Sequence, residues 1–117
     1  MTATLVTHQV VDGSAATRPV ASILMRVVEA RGETFRTKVI FLDPEDGPIC
    51  WRVQLYRPFS LLSFRKKEVF AQIHVDSDPV RFALTVFNSL LSNDETQKIK
   101  DGIAVLERQF KGQRLIA

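Results

Sequence analysis

One cysteine in 117 residues, Cys50, leaves no partner for a disulfide scaffold. The chain has no CxxC spacing, so no zinc site is expected, and a buried or half-buried thiol is the simpler reading of Cys50. No apolar run approaches the ~18 residues a helix needs to cross a bilayer, so no membrane partner is expected. Met1 to Gly13 carries neither a charged n-region nor an apolar h-region, which predicts no secretory signal and makes a reducing cytosol the default compartment. Histidine is scarce: His8 and His74 stand far apart in the chain. There is no P-loop, GxGxxG or GxSxG. The only short acidic cluster, Asp43, Glu45 and Asp46, lacks EF-hand spacing and reads as a turn. The sequence therefore offers no catalytic set, no metal site, no cofactor and no small-molecule substrate.

What is present is ordinary globular composition. The chain is 45% hydrophobic and 25% charged, with too much Val, Ile, Leu and Phe for a disordered segment, and its length suits one domain. The net charge of +3 is unevenly spread. Residues 1–19 balance, with Arg18 against Asp12, and so do residues 76–117. The whole excess lies between Val20 and Val75, where nine Lys/Arg face six Asp/Glu. Either a polyanion meets that central part or it is a solvated strand surface.

The pattern along the chain predicts strands first and helices last. Thr4 to Val11 reads as a strand closed by the Asp12-Gly13 turn. Ser14 to Pro19 reads as a loop. Val20 to Ala30 is a second strand, favoured over a helix by Ile23, Val27 and Val28. Thr34 to Leu42 is a third, and DPEDGP, Asp43 to Pro48, is the strongest turn. Ile49 to Arg57 alternates Trp51, Val53 and Leu55 against Arg52, Gln54 and Tyr56 before Pro58 ends it. After a short connection at Ser60 to Ser63, Phe64 to Val75 reads as a fifth strand. Asp76-Ser77-Asp78-Pro79 opens a helix with apolar positions Val80, Ala83, Leu84, Phe87, Leu90 and Leu91. Asn93-Asp94-Glu95 opens a second helix, with acids where the macrodipole favours them. Its stripe is Ile99, Ile103, Leu106 and Phe110, and Gly102 inside it costs about 1 kcal/mol relative to Ala.

This is an α+β layout: an antiparallel sheet built from an N-terminal hairpin plus three to four strands over residues 1–75, then two C-terminal helices over 76–117, in a single domain. Such a sheet needs one face covered, by its own helices or by a partner's. Its edge at Thr34 to Leu42 has only Arg36 and Lys38 as charged gatekeepers. Pairing into a dimer answers both needs.

The adjacent strands also gather a polar face. Arg52, Gln54 and Tyr56 lie on one; Phe64, Lys66, Gln72 and His74 lie on the next, with Glu68 and Phe70 among them. Cations suit phosphates, amides suit base edges, and an exposed aromatic on an open sheet can stack an unpaired base. The competing reading puts Phe64 and Phe70 in a second core.

The run from Thr37 to Leu91 resembles the coat proteins of single-stranded RNA bacteriophages, the levivirus type. WRVQLYRP, Trp51 to Pro58, is similar to that family's aromatic-led strand, and EVFAQIHVDSDPVRFALTVFNSLL, Glu68 to Leu91, to its last strand, polar turn and first helix. The resemblance implies an intertwined dimer with one continuous sheet, each subunit's helices lying over the partner's half. It implies assembly into an icosahedral shell, located in the virion and, during assembly, in the host bacterial cytoplasm. It further implies genomic RNA on the inner sheet face, with a replicase-start hairpin whose binding represses translation. Carried across, it places Arg52, Gln54 and Tyr56 on the RNA side. Phe64 and Lys66 match a base-stacking aromatic and its polar neighbour, and Lys38 matches an RNA-facing position on the preceding strand. The C-terminal stretch from Arg108 has no clear counterpart in the family. The alternative is a dimeric nucleic-acid-binding protein with a sheet platform and no shell.

Overall fold

The computed structural model describes residues 9–45 and 47–117. It is α+β, with a four-stranded antiparallel sheet backed on one face by two helices. Strand β1 (Gln9–Asp12) leads into helix α1 (Ser14–Val28), and a 3₁₀ turn (Glu29–Arg31) leads into β2 (Arg36–Leu42). Strands β3 (Cys50–Arg57), β4 (Glu68–Ser77) and β5 (Val80–Val86) follow, then helix α2 (Asn93–Gln109) and strand β6 (Gln113–Ile116). The sheet order is β2-β3-β4-β5, while β1 and β6 form a separate parallel pair.

The expected strands over Thr34 to Leu42 and Ile49 to Arg57 are β2 and β3, and the helix opening near Asn93 is α2. Three expectations are corrected. The stretch from Ser14 to Ala30 is not a loop and a strand but mainly α1. Its buried residues Ala16, Val20, Ile23, Leu24 and Val28 recur at helical spacing. That single apolar stripe, packed on the sheet, outweighs the strand preference of Ile23, Val27 and Val28 and the cost of Pro19 inside the helix. The stretch from Val80 is not a helix. Val80 and Phe82 are buried while Arg81 and Ala83 are exposed, which is the two-residue period of β5. It pairs with β4 across a two-residue connection, Asp78-Pro79, whose peptide bond is cis. The strand expected to end at Asp12-Gly13 is no half of a hairpin: β1 pairs with β6 at the far end of the chain, and residues 4–8 of that expectation lie outside the described residues. Helices and strands thus occur on both sides of residue 75, and only one of the two helices follows the sheet.

The core lies between the helices and one sheet face. Trp51, Val53 and Leu55 of β3, Ala71, Ile73 and Val75 of β4, and Val80 and Phe82 of β5 are buried with Val20, Leu24, Ile99 and Leu106. The helices cover the sheet of their own chain, one of the two solutions open to the sequence. Their close approach explains Gly102: a Cβ there would sit 3.0 Å from Ile23 of α1. Gly13 is similarly confined, since its Cβ would fall 2.2 Å from the Trp51 ring.

A β-bulge shapes the end of β3. Leu55 pairs with Ala71 but Tyr56 pairs with Val69, so Phe70 is the extra residue. It turns into the core, 2% exposed, and meets Phe35 edge-on at 5.2 Å between centroids. Arg31 and Arg57 lie over its ring at 5.5 and 5.3 Å. Arg31 also donates from Nε to Glu95 at 2.8 Å and from Nη2 to the Leu90 carbonyl at 2.9 Å. Glu95 in turn closes the capping box of α2: its N–H donates to the Ser92 hydroxyl at 3.1 Å, and its carboxylate accepts from the Ser92 N–H at 2.9 Å. The helix therefore starts one residue earlier in its capping than the Asn93-Asp94-Glu95 run announces. The Arg31 guanidinium holds the Glu95 carboxyl far below the usual range, at about 2.

Candidate nucleic-acid interface

The second sheet face carries no helix among the described residues, and its side chains follow from pairing register. Residues directly opposite each other on paired strands share a face. Lys38, Gln54, Gln72 and Thr85 form one row across β2 to β5; Ile40, Arg52, His74 and Ala83 form the next; Leu42, Cys50, Asp76 and Arg81 the third. Arg36 opposes Tyr56 at the near end. Alternation puts the aliphatic set of each strand against the helices, so this polar set is what remains outside.

Charge on this face is of nearly one sign. Arg36, Lys38, Arg52 and Arg81 stand with a single carboxylate, Asp76, and Lys67 places its ammonium 4.6 Å from the Tyr56 ring centroid. None of these five cations forms an ion pair among the described residues. The Arg52 Nε is buried and donates to nothing, as is true of the Arg57 Nε near the covered face. The amides of Gln54 and Gln72 bond each other, Nε2 to Oε1, at 3.4 Å. Burial, helped by the Asp76 charge, pushes the Cys50 thiol up, away from the reactive thiolate.

Four of the six residues expected to face RNA therefore share this face: Lys38, Arg52, Gln54 and Tyr56. Gln72 and His74 join them as the alternation implies. Phe64 and Lys66 do not. They precede β4 in the β3–β4 loop, beyond the paired sheet, so neither the stacking aromatic nor its neighbour lies on the platform. Phe70, the other aromatic expected near this face, is in the core. Sequence reasoning missed Arg36, Lys67 and Arg81. Arg36 has the parity of Lys38 and was legible from it. Arg81 was hidden by the expectation of a helix from Val80.

The described residues contain no group of three or more His, Cys, Asp and Glu side chains placed to hold a metal. No described helix is long and apolar enough to cross a membrane. In comparisons with known proteins, no family model, no curated protein and no solved structure matches the chain.

Proposed function

We propose that the protein binds single-stranded RNA on the open face of its four-stranded sheet, chiefly through the phosphate backbone. The observation that carries this reading is the set of cations on adjacent rows of the open face, Lys38, Arg52 and Arg81, none of which forms an ion pair among the described residues. Phosphate oxygens supply the missing counter-charge. Among the described residues Tyr56 is the one Phe, Tyr or Trp on the face and already carries Lys67 on its ring, so base stacking has a minor share. Each phosphate neutralised on a single strand contributes about −0.7 to the slope of log affinity against log salt. Three or four engaged cations therefore give a slope of about −2 to −3. Fluorescence anisotropy with a labelled oligouridylate at graded salt measures it. Lys38→Glu with Arg52→Glu weakens binding by about 30-fold or more and flattens the slope, while Lys66→Glu, off the platform, has at most a few-fold effect. Equal losses in the two variants would refute the assignment to this face.

A second reading is a coat-type subunit that assembles through its sheet. The edge strand β2 favours it: Val39 and Phe41, on the covered side, are left 47% and 44% exposed, and the outer backbone groups of that edge are open to another strand. Two copies paired along β2 would continue the sheet and join their open faces into one cationic surface. The element order bears against the closest form of the levivirus resemblance, because α1 precedes the sheet and α2 lies over its own chain's strands. Sedimentation velocity and electron microscopy of the protein expressed alone decide between the readings. Shells, or dimers lost on Val39→Asp, support assembly; a monomer at all concentrations sinks it.

A further inference from the structure

The strongest feature that RNA binding leaves unused is the tip of the β3–β4 loop. Ser60 and Arg65 form an antiparallel bridge, exchanging N–H···O=C bonds of 2.8 and 2.9 Å. This closes a four-residue turn made of Leu61, Leu62, Ser63 and Phe64. The turn is further held by the Phe64 N–H donating to the Leu61 carbonyl and the Ser63 N–H to the Ser60 hydroxyl. Phe64 takes φ 51°, a left-handed conformation that is a genuine outlier for a bulky residue. An ordered turn thus holds its apolar side chains outward: Leu61 is 73% exposed, Leu62 98% and Phe64 90%, with Phe59 beside them at 63%.

The base of the turn is cationic. Arg57, Arg65, Lys66 and Lys67 stand there with the two carboxylates of Glu33 and Glu68, both of which Arg57 engages. Lys66 pairs with nothing among the described residues. A narrow apolar apex above a positive collar matches the layering of an anionic bilayer surface, with acyl chains inside and phosphates outside. A second copy of the chain is a poorer match, because a four-residue convex apex offers far less than the ~800 Å² per partner of a stable protein interface.

We propose that this tip is a membrane-surface anchor: Leu61, Leu62 and Phe64 enter the headgroup–acyl boundary of an anionic leaflet, and Arg65 and Lys66 contact lipid phosphates. It does not depend on the RNA reading, since the tip lies beyond the open face. The test is flotation of the full chain with phosphatidylcholine vesicles containing or lacking one-quarter phosphatidylglycerol. The chain floats with the anionic vesicles and about tenfold less with the neutral ones. Leu61→Asp with Leu62→Asp reduces flotation about tenfold or more. Both side chains are exposed, so an unchanged thermal melt shows that the variant is folded. A Leu62→Trp reporter shifts its emission to the blue on adding anionic vesicles. Failure to float, flotation indifferent to the aspartates, or dimers that dissociate in the aspartate variant without any vesicle binding would each overturn the proposal.

Discussion

The two faces of the central sheet use arginine in opposite ways. Near the covered face, Arg31 and Arg57 lie on the Phe70 ring and bond carboxylates: Arg31 holds Glu95, and Arg57 bonds Glu33 and Glu68. On the open face Arg52 sits half-buried in the middle of the sheet, and neither it nor Arg36 nor Arg81 forms an ion pair among the described residues, although Asp76 stands opposite Arg81. The difference lies in what surrounds each cation. Arg31 ties the first turn of α2 and the Leu90 carbonyl to the rings of Phe35 and Phe70. Arg52 has only its own strand neighbours, so its counter-charge must come from outside. An unpartnered Nε does not separate the two faces, since the buried Arg57 Nε is unpartnered as well; the absence of an internal counter-charge does.

Two phenylalanines separate the covered face from the rest most sharply. Phe70 fills the core, and Phe64, only six positions earlier, projects into solvent. Phe70→Ala removes the core ring, the edge contact with Phe35 and the surface on which two guanidinium groups rest, and lowers stability by about 4 kcal/mol. At the other extreme, Phe64→Ala changes stability by no more than about 0.5 kcal/mol. Thermal or urea unfolding measures both, and similar losses would erase the distinction drawn between core and tip.

The paired arginines of the covered side give an intermediate effect with a pH signature. Glu95→Gln removes the charge partner of Arg31 and weakens the capping of α2, at a cost of about 2 kcal/mol near neutrality. The Glu95 carboxyl titrates at about 2 in the fold against an ordinary 4.5. Its depressed value means that this stabilisation is complete above about pH 4.5 and is lost as pH falls through about 2. The gap between native protein and Glu95→Gln should therefore be flat at higher pH and close across that window. Urea titrations at successive pH values follow it, and a gap independent of pH would refute the ionised carboxylate as its source. Paired charge reversal at Lys38 and Arg52 belongs below this in stability, at under about 1 kcal/mol, although its effect on RNA affinity is large.

How much of this was legible in the sequence depended on whether one period or two fitted the same residues. In β3 only the two-residue period fits, so Trp51, Val53 and Leu55 were assigned inward and Arg52, Gln54 and Tyr56 outward, as found. From Val80 onward both periods find apolar residues. Val80, Ala83, Leu84 and Phe87 fit a helix; Val80, Phe82, Leu84 and Val86 fit a strand. Only the pairing with β4, a contact made in space, selects the second. In α1 local preferences argued one way and the apolar stripe the other, and burial against the sheet and α2 favoured the stripe. The bulge that turns Phe70 inward is a register effect across two strands, invisible along either one. The loop tip was passed over because periodicity seeks side chains that will be buried, and Leu61, Leu62 and Phe64 are not.

The parallel pairing of β1 with β6 has a mechanical consequence. Gln9 opposes Gln113 and Asp12 opposes Ile116, and the Gly13 N–H extends the ladder to the Ile116 carbonyl at 2.7 Å. Tension on the chain before β1 and after β6 pulls the two strands in opposite directions along their common axis. The cross-strand bonds are then loaded in shear, together, and not peeled one at a time. Force applied through the chain's two ends is thereby borne first by this short clamp, before it reaches the four-stranded sheet.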